Sequence, residues 1–172
     1  SATFKNPNAA IIVGGNLYVA DSNNHKIRKI VISTGVVTTL AGSGVSGSTD
    51  ATGTAAKFNY PLGIASDGTN LYVTDHLNHK IRKIVISTGV VTTLAGSGSA
   101  GSTNATTGTS ASFNQPRGIT VVGNNLYVAD TSSNKIRKIV ISTGAVTTIA
   151  GSGSAGSANG TGTSATVSLP YG

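Results

Sequence analysis

Most of the charge in this chain sits in one short motif written three times. KIRK recurs at Lys26, Arg28, Lys29; Lys80, Arg82, Lys83; and Lys135, Arg137, Lys138, accounting for nine of the 12 Lys and Arg residues and for most of a net charge of +7. Nine cations gathered on one surface would hold an acidic polymer, with binding that weakens steeply as salt rises. The plainer reading is that their stems lie along apolar neighbours with the heads in water, where they also discourage stray strand pairing. Among acidic polymers, single-stranded nucleic acid is disfavoured. It needs exposed aromatic platforms beside the charge, and the chain has only three Phe and five Tyr, with Phe4, Phe58, Phe113, Tyr18, Tyr72 and Tyr127 at repeated strand positions that a core would claim. Acidic polysaccharide and anionic lipid are the other polyanions such a surface would hold.

The other titratable groups point away from catalysis. Acid–base chemistry wants paired carboxylates or an oriented His. Here Glu is absent, the five acids are Asp, and Asp21, Asp75 and Asp130 fall at the ends of predicted strands, where they are expected to cap turns. His25 and His79 are equivalent, His76 is extra and the third repeat has no His, so metal-ligand spacing is missing. Calcium would need more than the single acid offered by stretches such as DSNN and DHLN. The expectation is no enzyme, no cofactor and no metal. Asn104-Ala-Thr and Asn159-Gly-Thr match the glycosylation acceptor pattern, which signifies only in a host that modifies secreted proteins.

The elements that must carry these residues follow from an internal period. Phe4, Phe58, Phe113 and Val167 recur every 54 or 55 residues, and Pro7, Pro61, Pro116 and Pro170 keep step with them. NHKIRKIVISTGVVTTLAGSG at 24–44 returns unchanged at 78–98. The blades predicted are 1–57, 58–112 and 113–166, with 167–172 opening a fourth. Each reads as four short strands, in the second unit GIAS (63–66), NLYVT (70–74), KIRKIVIS (80–87) and VVTTLA (90–95), broken by Asp67-Gly68, the Asp75–Asn78 stretch and Thr88-Gly89. No segment keeps a 3.6-residue apolar period, and no apolar run approaches the ~20 residues of a spanning helix. The fold class is all-β, built of β-propeller blades of four antiparallel strands.

FNYPLGIA, NLYVTD, NHKIRKI and TGVVTTLAGSG, in that order, resemble the NHL repeat family of β-propellers, in the form found in large secreted bacterial proteins. The resemblance implies a secreted or cell-surface bacterial setting. Lys26 and Lys80 stand where the family pattern has Leu, Asn134 where it has His, and Ala9 where Gly63 and Gly118 sit, so a distorted start to the first blade is expected. With Met absent, the chain reads as a processed product or a piece of a longer one.

Three blades cannot close a ring, which takes about four to eight. Closure by a second copy, by a longer parent chain, or an open filament are the alternatives. Residues 1–9 and 164–172 are equivalent, which makes Phe4, Pro7, Val167 and Pro170 candidate assembly segments. Near-identity of the blades, with their Gly, Ser and Thr loops, suits a non-catalytic secreted scaffold that assembles with copies of itself or with other surface proteins, as a filament or surface-matrix subunit. The alternative is a module holding an acidic polymer on the KIRK rim.

Overall fold

The β-branched runs form strands because each turn between them has the right local chemistry. The computed structural model describes residues 2–172 as three antiparallel four-stranded sheets: β1–β4 (Pro7–Val13, Asn16–Asp21, Lys26–Val31, Val37–Ala41), β5–β8 (Pro61–Ser66, Asn70–Asp75, Lys80–Val85, Val91–Ala95) and β9–β12 (Pro116–Val122, Asn125–Asp130, Lys135–Val140, Val146–Ala150). Strands are paired in sequence order within each sheet, as in propeller blades, and the three sheets stand as an open arc.

In the β5–β6 turn Asp67 accepts the N–H groups of Thr69 and Asn70 at 2.9 and 2.7 Å and the Tyr72 hydroxyl at 2.7 Å. Partial burial works against the charged form, but these hydrogen bonds and that of the Asn70 side chain outweigh it and hold the carboxyl at about 2. Between the second and third strands of each blade, a single 3₁₀ turn ends on a left-handed residue: His25, His79 or Asn134, at φ 53°, 56° and 52°. Those residues then act on the neighbouring blade.

The core lies between sheets. Leu71, Val73, Ile84 and Val91 of the second sheet meet Tyr18, Ala20, Ile27 and Ala41 of the first. From its other side, Tyr72, Ile81 and Ala95 meet Leu126, Val128, Ile139 and Val146 of the third. The middle sheet is thus apolar on both faces, and every blade is stabilised mainly by its neighbours. The first strands of adjacent blades run close together: a Cβ on Gly63 would lie 2.2 Å from the Arg117 carbonyl oxygen. The expected distortion of the first blade does not occur. β1 pairs with β2 through a shift between Pro7 and Ala9, like the shift between Pro61 and Ile64 in β5, and Ala9 packs its methyl on the first core cluster.

Candidate functional site

The arginines of the KIRK motifs are not on a rim, and this corrects the sequence-based picture. Each third strand runs in unbroken register with the second, so its arginine keeps the face of Ile30, Ile84 or Ile139 that alternation gives it, and the register shift against the fourth strand leaves the extra residue there, at Leu40, Leu94 and Ile149. Arg82 and Arg137 are fully buried. Arg82 donates to Asp75 Oδ2 at 2.7 Å, to the carbonyls of Lys57 and Thr49 at 3.0 and 3.1 Å, and to Asp50 Oδ1 at 2.6 Å. Its plane lies over the Phe58 ring at 5.1 Å. Arg137 repeats the set with Asp130 (2.8 Å), Ser112 O (3.0 Å), Thr103 O and Asn104 Oδ1 (both 2.9 Å), over Phe113. A planar fork with five donors fits such a cradle where Lys could not.

Arg28 holds only half of this arrangement. It donates to Asp21 at 3.0 Å and to Thr3 O at 3.1 Å and lies over Phe4 at 5.2 Å, with no loop partner among the described residues. Of the nine cations expected on a rim, the six lysines are those not drawn into these cradles. Of these, Lys26, Lys80 and Lys135 run along Gly44, Gly98 and Gly153, where a Cβ would come within 3.0, 3.2 and 3.3 Å of the lysine Cε. Lys29, Lys83 and Lys138 stand opposite Tyr18, Tyr72 and Tyr127 in the ladders.

The three aspartates are likewise not turn caps. None takes a backbone N–H of its 3₁₀ turn, although Asp21 and Asp75 accept the side-chain amides of Asn24 and Asn78 at its end. Asp21, Asp75 and Asp130 also take the backbone N–H of Lys5, Asn59 and Asn114 at 2.8, 2.7 and 2.7 Å, reaching the segment just ahead of their own blade's first strand. Burial pushes the Asp75 and Asp130 carboxyls up, and the arginine and N–H donors pull against that push. The i, i+7 spacing of Asp21–Arg28, Asp75–Arg82 and Asp130–Arg137 in the sequence is the signal that would have found these pairs.

Two further bonds tie each blade to the next. His25 Nδ1 accepts the Tyr60 N–H at 3.1 Å, His79 Nδ1 accepts that of Gln115 at 3.0 Å, and Asn134 Oδ1 accepts that of Leu169 at 2.9 Å. Asn134 thus does the work of the missing His. Ser22, His76 and Thr131 each hydrogen-bond the next first-strand proline carbonyl, at Pro61 (2.6 Å), Pro116 (3.2 Å) and Pro170 (2.7 Å). Of the candidate assembly segments, Pro170 is thereby fixed to the third blade, Val167 is half-buried, Phe4 lies under Arg28 and Pro7 is exposed. Tyr171, which sequence reasoning did not single out, stacks on the Arg117 guanidinium at 4.3 Å.

The outer faces of the arc are the two halves of an inter-blade interface. On the first sheet Leu17, Ile30 and Val37 are only half-buried and Ile32 is 52% exposed, whereas their counterparts Leu71, Ile84 and Val91 are buried. On the third sheet Tyr127, Ile136 and Ala150 are half-buried and Ile149 is 39% exposed, where Tyr72, Ile81 and Ala95 are buried. The histidines and carboxylates form no group of three that could hold a metal, among the described residues. Among those residues no helix is long and apolar enough to cross a membrane.

Comparison with known proteins agrees with this architecture. Residues 113–139 match the NHL repeat model. The chain is 35% identical over 138 residues to human (Homo sapiens) NHL repeat-containing protein 2, covering 74% of this chain and 19% of that protein, so it spans less than a fifth of that relative. Among solved structures it is similar to a Bacteroides thetaiotaomicron structural genomics protein of unknown function (28% identity, TM-score 0.72, 91% of this chain and 38% of the other). The fold is also that of an auxiliary nutrient binding protein from Bacteroides ovatus (21% identity, TM-score 0.74, 98% of this chain and 43% of the other).

Proposed function

We propose that this chain, whose repeats are NHL repeats of a β-propeller, is a non-catalytic extracellular scaffold that associates with a second copy of itself, head to tail. One observation carries the reading. The interface between blades occurs twice within the chain, and its two halves recur, uncovered, on the outer faces of the first and third sheets. A face bearing Leu17, Ile30, Ile32 and Val37 fits one bearing Tyr127, Ile136, Ile149 and Ala150, because the same positions already fit each other inside the molecule. Such a contact is heterologous, closing a six-bladed ring if the rotation per blade allows and otherwise growing into a filament. The absence of catalysis is part of the proposal, supported by where the carboxylates go: Asp21, Asp75 and Asp130 are each consumed in an ion pair with an arginine.

Sedimentation velocity and light scattering across a concentration series test this. The expected result is a mass that rises to multiples of the 17.0 kDa chain. A particle of constant 17.0 kDa at every concentration overturns the proposal.

A further inference from the structure

The loop that follows β12 is folded like the two loops that hold Arg82 and Arg137, yet it holds no arginine. In the first, Lys57 N–H bonds Thr49 O at 3.1 Å, and in the second Ser112 N–H bonds Thr103 O at 3.2 Å. In the third, Thr166 N–H bonds Ala158 O at 3.0 Å, and Gly151 N–H and Ser152 N–H reach Gly162 O and Ala165 O as their equivalents do in the other two loops. Ala158 O and Asn159 Oδ1 therefore stand where Thr103 O and Asn104 Oδ1 stand around Arg137 Nη2. Asn159 is exposed. At the other end of the arc, Arg28 uses Nη1 for Asp21 and Thr3 and leaves Nη2 without a partner among the described residues.

We infer that the 151–166 loop is the acceptor half of a guanidinium lock, and that Arg28 of a second copy is its donor. This rests on the self-association read above and specifies its polar joint. Nη2 of Arg28 bonds Ala158 O and Asn159 Oδ1 of the neighbour, as Arg82 bonds Thr49 O and Asp50, and as Arg137 bonds Thr103 O and Asn104. The same acceptor side chain also reaches the fourth strand of the receiving blade. Asp50 takes the Thr93 N–H and hydroxyl at 2.9 and 3.1 Å, and Asn104 takes the Thr148 hydroxyl at 3.1 Å, so Asn159 meets Thr39 of the second copy. Next to it, Ala51 O and Ala105 O accept the N–H of Val91 and Val146 at 2.9 and 2.8 Å. Gly160 O correspondingly accepts that of Val37 and covers the exposed edge of β4. Phe4 and Val167 claim one place in this joint. Phe4 already lies under the Arg28 guanidinium and Val167 has no ring to offer, so residues 167–172 are the segment that yields.

The test uses the exposed Asn159, whose replacement does not disturb a core. Asn159→Asp reproduces the acceptor that meets Arg82 at 2.6 Å, and it should tighten association about tenfold at low salt. Asn159→Arg, facing Arg28, should weaken it about tenfold. Ser87→Asp, an exposed site on the middle blade, makes the same charge change as Asn159→Asp and should leave the constant unchanged. The chain has no Cys, so Asn159→Cys combined with Thr39→Cys should give reducible, chain-linked multimers on oxidation. If the parent chain associates but both Asn159 variants behave like it and the cysteine pair stays unlinked, the lock is wrong and the apolar self-association survives. If the parent chain stays monomeric, both fall.

Discussion

Replacing Arg82 by Met and, separately, Arg28 by Met tests whether the buried guanidinium is what ties each blade to the loop before it. Arg82 makes four hydrogen bonds, two of them to the carboxylates of Asp75 and Asp50 at 2.7 and 2.6 Å. Its removal leaves the fully buried Asp75 with only the Asn59 N–H and the Asn78 amide, at 2.7 and 2.8 Å. Breaking a buried pair from one side costs about 3–5 kcal/mol. Arg28 makes two bonds, to the equally buried Asp21 and to Thr3 O, but is 12% exposed at the side chain and holds no upstream loop among the described residues, so a smaller loss of about 1.5–3 kcal/mol is expected. The difference of roughly 2 kcal/mol corresponds to a midpoint roughly 4–8 °C lower for Arg82→Met than for Arg28→Met in a chain of this size. The assay is thermal and urea unfolding followed by circular dichroism, at one fixed protein concentration. Equal losses for the two variants, or a loss below about 1 kcal/mol for Arg82→Met, would refute the argument that the loop contacts add to the ion pair.

The remaining predictions concern the other ties between blades. His79→Asn should keep near-parental stability, because Asn134 already accepts the equivalent N–H at 2.9 Å, while His79→Ala should lose about 0.5–1.5 kcal/mol by urea unfolding. Burial lowers the His76 pKa, and the charges of Arg117 and His79 add to that, so the folded state disfavours the imidazolium. Stability should therefore be full above the unfolded value of about 6.5 and decline as pH falls below it. His76→Thr, which keeps the bond to Pro116 O as Thr131 does to Pro170 O, should show a flatter decline between about pH 7 and 5, and an equal decline would count against the assignment. Gly96→Ala should cost about 1–3 kcal/mol or more, read from the same unfolding curves, since its φ is 99° and a Cβ would lie 2.4 Å from His79 O.

The strands were legible because their chemistry is local. GIAS, NLYVT, KIRKIVIS and VVTTLA each coincide with an observed strand to within two residues, and Gly89, at φ 70°, is the left-handed residue its turn requires. The resemblance to NHL propellers rests on that same local order. What the strand pattern did not tell was what covers the arginine. A period of two puts Arg82 in line with Lys80 and Ile84, and β7 keeps that register against β6, but the loop from 49 to 57 folds over that face and takes the guanidinium. Alternation says which face a side chain takes and not which loop lies on it. The partner carboxylates lay in plain view at Asp75 and Asp50, one seven residues before and one thirty-two, yet only a fold that brings both to one guanidinium says which matters.

The change from Asp50 to Asn104 to Asn159 along the three loops bears on how such a molecule joins. Within the chain, Asp50 gives Arg82 a second carboxylate and Asn104 gives Arg137 a neutral amide, and both cradles are complete. The two joints are thus of unequal polarity although their apolar faces are nearly alike. Arg28, already paired with Asp21, needs no further negative charge from a partner, and a neutral Asn159 can complete it without adding a charge to be desolvated. A lock of that kind sets register more than affinity, leaving the apolar faces to supply the free energy. The asymmetry predicts that association of the parent chain depends weakly on salt, whereas that of Asn159→Asp weakens clearly as salt rises. A steep salt dependence in the parent chain would place the lysines, not the amide lock, at the joint.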